Sequence, residues 1–117
     1  MKKDEVLIYH NPRCSKSRET LDLLRQRGVE PRVVEYLKEP PTSGEIRKLI
    51  RMLGGDAHAL LRTKEAPYKE LGLSPSSSTD AIVDAVASHP VLLERPIVVR
   101  GDKAEIGRPP ENVLRLL

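Results

Sequence analysis

Short apolar runs and longer amphipathic stretches alternate along the chain. Val6-Leu7-Ile8-Tyr9 is a compact β-rich run closed by His10-Asn11-Pro12, which predicts a buried strand. From Cys14 the spacing turns helical. Thr20, Leu21 and Leu24 share one face, Arg18, Asp22, Arg25 and Gln26 take the others, and Gly28 is the natural stop. Val33-Val34-Glu35-Tyr36 predicts a second strand, so residues 5–36 read strand–helix–strand, a crossover that normally sets its two strands parallel.

Pro40-Pro41 interrupts this pattern. Thr42-Ser43-Gly44-Glu45 has the form of a capping box, and Ile46, Leu49, Ile50 and Leu53 follow at helical spacing up to Gly54-Gly55. Residues 56–75 read as short helical turns, Ala57 to Leu61 and Tyr68 to Leu71. The run Ser76-Ser77-Ser78-Thr79-Asp80 reads as a loop and cap for a helix faced by Ile82, Val83 and Val86, which stops before Pro90. Ile97-Val98-Val99-Arg100 and Ala104-Glu105-Ile106-Gly107 flank the turn Gly101-Asp102-Lys103 as a hairpin. Pro109-Pro110 opens a final helix carrying Val113, Leu114 and Leu117. The sum is an α/β fold: a small mixed four-stranded sheet flanked by helices, with a helical insert. No internal repeat is visible, and no linker is long enough to divide the domain.

Composition narrows the classes. A chain of 117 residues is about one domain and buries a core without staples. With a single cysteine, Cys14, an internal disulfide and a Cys-rich zinc site are both excluded, and the lone thiol suits a reducing compartment. The net charge of +3 is too small to argue for nucleic acid. Phe and Trp are absent and Tyr numbers three, so stacking platforms for single strands are nearly missing and the core is aliphatic. No apolar run approaches a membrane span, and the polar start Met1-Lys2-Lys3-Asp4-Glu5 is not a signal peptide, which leads to the expectation of a cytoplasmic protein. Arg outnumbers Lys by 12 to 8, a tilt towards the residue that grips oxyanions with a planar fork.

Those residues direct attention to Cys14. It stands after a strand and at a helix start, where orphan N–H groups and the macrodipole favour a thiolate. Arg13, Lys16 and Arg18 lie around it, with no acid between His10 and Arg18. A buried inert cysteine is the plainer alternative, but Cys14 falls outside any apolar stripe. Cys14-Ser15-Lys16-Ser17 is C-x-x-S, so a resolving thiol must come from another molecule. A C-x5-R phosphate loop is ruled out by Thr20.

Arg62 ends a short helical turn, Arg95 stands just before the strongest strand and Arg108 just after the returning one. Guanidinium groups gathered near a thiolate would neutralise a multiply charged oxyanion and hold it for attack; each arginine alone could equally be a surface ion-pair partner. His10 can support the thiolate or the oxyanion, or simply bond the backbone. His58 and His89 have no partners at ligand spacing, so no metal is assigned.

The ordered combination Ile8-Tyr9-His10-Asn11-Pro12-Arg13-Cys14, Leu60-Leu61-Arg62, Glu65-Ala66-Pro67-Tyr68-Lys69-Glu70-Leu71-Gly72-Leu73, His89-Pro90, Arg95-Pro96-Ile97-Val98-Val99 and Arg108-Pro109 resembles the glutaredoxin-coupled arsenate reductases, the ArsC family. The resemblance runs from about residue 6 to the end. It implies one thioredoxin-like domain over residues 1–117, with Cys14 as nucleophile and Arg62, Arg95 and Arg108 as the oxyanion-binding trio. It also implies His10 beside the thiol and Pro96 as a cis proline facing it. By the same resemblance, arsenate is reduced to arsenite through a cysteine thioarsenate and a glutathione mixed disulfide. Glutathione is then a co-substrate, glutaredoxin a partner, and no cofactor is bound.

Arg13 and Lys16 stand where family members can carry small neutral residues, and the chain stops at Leu117 where some members continue. Two other classes compete. An Spx-type regulator would bind RNA polymerase through the same fold, but typically carries C-x-x-C. A monothiol glutaredoxin-like oxidoreductase would lack arsenate activity and tends to lose members of the arginine trio.

Overall fold

A computed structural model describes residues 5–117. The expectation drawn from the polar start falls largely on residues 1–4, outside those described. The chain groups into two compact units. One joins the residues through Glu39 to Arg95–Leu117, and the other is the continuous stretch Pro40–Glu94.

The first unit holds the sheet. Strand β1 (Val6–His10) is buried along its whole length. It pairs parallel with β2 (Arg32–Glu35), with Ile8 opposite Val33, and antiparallel with β3 (Ile97–Arg100), with Ile8 opposite Val98. Strand β4 (Lys103–Ile106) closes the hairpin with β3, giving the order β2-β1-β3-β4. A strand covered on both faces reads as a continuous apolar run, which is why β1 and β3 stand out in the sequence while the edge strands do not. Lys103, expected in the turn, is the first residue of β4 and pairs with Arg100.

Helix α1 (Ser15–Gln26) crosses from β1 to β2, with Cys14 as its N-cap. It ends on Gly28, whose φ of 78° is the left-handed position that terminates helices cheaply. Its Leu21 and Leu24 join Val6, Ile8, Val98 and Val113 in one core.

The segment after the hairpin differs from expectation. Pro110–Leu116 winds as a 3-10 helix rather than an α-helix. With three residues per turn, Val113 and Leu116 share the inner face, while Leu117 is 41% exposed. The inner pair is therefore Val113 and Leu116, not the α-helical set Val113, Leu114 and Leu117.

The second unit is helical. Helix α2 (Ser43–Met52) starts at a complete capping box: Thr42 Oγ1 accepts from Glu45 N at 3.2 Å, and Glu45 Oε1 accepts from Thr42 N at 2.9 Å. A 3-10 turn over Ala57–Leu60, the short α3 (Ala66–Glu70), α4 (Thr79–Ser88) capped by Ser78, and a second 3-10 turn over Pro90–Leu92 follow. Helix α4 packs on α2 and on both 3-10 turns, burying Ile46, Leu49, Leu60, Ile82, Val83 and Leu92. No helix among the described residues is long and apolar enough to cross a membrane.

Candidate active site

Cys14 sits where β1 hands over to α1. Its own N–H donates to Asn11 O at 3.0 Å, closing the turn, and its carbonyl accepts the N–H of Arg18 to start the helix. The residue is buried, 8% exposed. Burial is the largest influence on the thiol and raises its pKa. The Ser17 amide, the Arg95 charge, the Lys16 amide and the Arg108 charge together outweigh it, and the pKa lies below that of a free thiol. The sulfur makes no cap hydrogen bond of the kind a serine would make. The two amides act on it as the positive end of the helix, favouring the anion.

The charges that matter are not the ones nearest in sequence. Lys16 acts through its backbone N–H, while its ammonium pairs with Glu19 at 3.4 Å in solvent. Arg18 donates to the Pro12 carbonyl at 2.9 Å, and Arg13 is exposed. The guanidinium in reach of the sulfur belongs to Arg108, 94 residues away, whose Nη2 lies 3.7 Å from Cys14 Sγ. Local charge density suggested Arg13, Lys16 and Arg18; the fold supplies Arg95 and Arg108 instead.

Arg95 and Arg108 are tied together. Arg108 Nε donates to the Arg95 carbonyl at 2.8 Å, and Gly107 N donates to the Pro96 carbonyl at 2.9 Å. The Arg95–Pro96 and Arg108–Pro109 peptides are both cis. Arg95 precedes β3 and Arg108 follows β4, so the hairpin brings them side by side on a rigid scaffold. Asn112 Nδ2 fixes the Arg108 carbonyl from the first turn of the 3-10 helix at 3.1 Å.

His10, the last residue of β1, is buried and does not reach the sulfur directly. Its Nδ1 meets Ser17 Oγ at 2.6 Å, and Ser17 Oγ also accepts the Asn11 N–H at 3.0 Å. Burial, the leading cause, lowers the His10 pKa, with Arg25 and Arg18 adding to it against the opposing pull of Glu35. The tautomer of the ring sets which of the two donates in that bond, and in either case the serine oxygen keeps a lone pair for the Asn11 amide. Ser17 is the residue that sequence reasoning passed over. It appeared only as a missing second cysteine, whereas it is fully buried and ties β1, the turn and the first helical turn together. Its i+3 position from a helix-capping thiol was the signal that could have found it.

Arg62 belongs to the second unit. The Leu61–Leu93 bridge and the bond from Arg62 N to Leu92 O, 2.8 Å, hold its backbone. Its guanidinium pairs with Glu65 at 2.9 Å and lies 3.9 Å from Glu94. His58, in the same unit, bonds Tyr68 Oη at 2.8 Å. Among the described residues no group of three or more His, Cys, Asp or Glu side chains is placed to hold a metal ion.

An uncharacterized protein of Escherichia coli K12, YfgD, is 55% identical over 97% of each chain. An arsenate reductase of Neisseria meningitidis serogroup A is 49% identical, over 97% of this chain and 98% of that one. The solved structure of an arsenate reductase from Vibrio cholerae superposes with a TM-score of 0.92 at 49% identity, covering 99% of this chain and all of that one. Residues 9–116, which span the cysteine and all three arginine motifs, match the ArsC family, and the chain is a member of it.

Proposed function

We propose that this protein reduces arsenate to arsenite, with Cys14 as the nucleophile and glutathione and glutaredoxin as the outside thiols. The observation that carries this reading is the 3.7 Å approach of Arg108 to the Cys14 sulfur, with the same guanidinium bonded to the Arg95 carbonyl. Two fixed positive charges beside an ionisable sulfur stabilise a thiolate and neutralise a tetrahedral oxyanion at the same place. Arsenate reductases nearly half identical over almost the full length supply the substrate class.

The Cys14 thiolate attacks arsenic. A sulfur–arsenic bond forms, one arsenic–oxygen bond breaks, and the oxygen leaves as water or hydroxide. A glutathione thiolate then attacks Cys14 Sγ. The sulfur–sulfur bond forms and the electron pair of the sulfur–arsenic bond stays on arsenic, which departs as arsenite. Arsenic gains two electrons and the two sulfurs lose them as a mixed disulfide. Glutaredoxin takes the glutathione by thiol–disulfide exchange and returns Cys14 to the thiolate. A chain with one cysteine has to borrow these thiols. The family resemblance gives Arg62 a share of the anion as well, and an anion that uses it competes with Glu65 for the guanidinium.

The test is arsenate-dependent NADPH oxidation in the presence of glutathione, glutaredoxin and glutathione reductase. Cys14→Ser is expected to show none, and Arg95→Ala and Arg108→Ala each to lose most of kcat/KM. Turnover of wild type no higher than Cys14→Ser rejects the activity. Wild-type behaviour of both arginine variants places the anion elsewhere.

A further inference from the structure

Three segments of the site meet at one contact away from the sulfur. Gly107 lies between β4 and Arg108. A Cβ on it would stand 2.6 Å from Thr20 Oγ1, 3.1 Å from Thr20 Cγ2 and 2.8 Å from Pro96 Cγ. Neither neighbour yields easily. Thr20 is β-branched, fully buried, and bonded from Oγ1 to Lys16 O at 2.7 Å. Pro96 is a buried ring whose carbonyl accepts the Gly107 N–H. Thr20 belongs to the helix that carries Cys14, Pro96 follows Arg95, and Gly107 precedes Arg108.

We propose that Gly107 and Thr20 are positioning residues: the close contact of the bare Gly107 backbone with the Thr20 side chain sets the separation between the Cys14 helix and the Arg95 and Arg108 guanidinium groups. A methyl group at 107 must push the helix from the hairpin or swing the Pro96 loop outward. Either movement carries an arginine away from the sulfur while leaving every group that would touch substrate chemically unchanged. Displacements of about 1 Å at a reacting centre cost up to about a hundredfold in rate. The inference rests on Cys14, Arg95 and Arg108 forming the anion site, so one readout is independent of arsenate turnover.

Gly107→Ala, Thr20→Ala, Thr20→Ser and the double variant Gly107→Ala/Thr20→Ala are made in the full chain. The rate of Cys14 alkylation by iodoacetamide is followed against pH, and KM and kcat for arsenate are measured beside it. Gly107→Ala is expected to move the alkylation midpoint up by about one pH unit and to raise the arsenate KM about tenfold or more. The double variant, which removes both Thr20 atoms from the clash and leaves Pro96 Cγ in it, is expected to return part of both changes. A wild-type profile and KM in Gly107→Ala, or no return in the double variant, overturns the proposal. Should Gly107→Ala fail to fold, Thr20→Ala loosens the same contact and is expected to shift the alkylation midpoint while Thr20→Ser does not; equal midpoints in the two overturn it. A shifted midpoint in a protein whose wild type shows no arsenate turnover above Cys14→Ser would reject the arsenate reading and leave the positioning role standing.

Discussion

Ser17 is worth more than its place in C-x-x-S suggests. One oxygen joins the His10 ring to the Asn11 amide, inside the fold, at the point where the strand becomes a helix. Ser17→Ala leaves a half-buried amide and a buried ring nitrogen without their partner, a loss of about 1–3 kcal/mol. Denaturant unfolding measures that cost. The same variant is expected to raise the thiol pKa, read from alkylation rate against pH, because the Ser17 N–H that faces Cys14 loses its anchor. The cysteine itself was legible in the sequence, as a lone thiol after a strand. Its serine partner was not, because a hydroxyl group's value depends on what it is buried against.

Helix ends behave as the local chemistry dictates. Thr42→Ala removes one half of a reciprocal cap on α2 and is expected to cost about 1 kcal/mol in denaturant unfolding. The last element obeys a different rule. Its 3-10 winding places Leu116 inward against the Val113 core and turns Leu117 to solvent. Leu116→Ala is expected to cost about 1–2 kcal/mol by lost burial, and Leu117→Ala less than about 0.5 kcal/mol; the reverse order in thermal or denaturant unfolding would require the α-helical face. Elements with strong period or strong caps, β1, α1, α2, α4 and the hairpin, were readable from residue spacing. The 3-10 segment was not. Two consecutive prolines followed by Val and Leu fit either winding, and contacts with α1 and β4 decide between them.

At the scale of the whole chain, proton binding and folding are linked through two groups. The native His10 pKa is lowered, so the native state resists the proton that the unfolded chain accepts near its ordinary pKa of 6.5. Stability is therefore expected to fall as pH drops from about 6.5 through the native pKa, and His10→Asn to flatten that limb. Cys14 works at the other side. Its native pKa is lowered, so stability rises as pH climbs through the native value and levels off once the unfolded thiol also ionises. Cys14→Ser removes that rise. Chemical unfolding across pH 5–9 checks both. The order of elements, the parallel crossover and the insert between β2 and β3 were legible along the chain. Arg95 and Arg108 were also named, by their places beside the hairpin strands and by the family resemblance, while the charges next to Cys14 in sequence pointed to Arg13, Lys16 and Arg18. What only the folded hairpin shows is the geometry, with Arg108 rather than Arg13 over the sulfur.

The two amides that favour the thiolate belong to the main chain, and this leaves the identity of residue 16 open. Helix-start N–H groups have no partner inside the helix, and every amino acid but proline carries one. Lys16→Ala or Gln is expected to keep the sulfur anionic to nearly the same degree, whereas Lys16→Pro keeps the helix and loses one of the donors. The side chain at position 16 can thus be exchanged without touching the backbone donors. It is a solvent-facing side chain two residues from the nucleophile, available to discriminate among thiol donors while the backbone holds the reactivity constant.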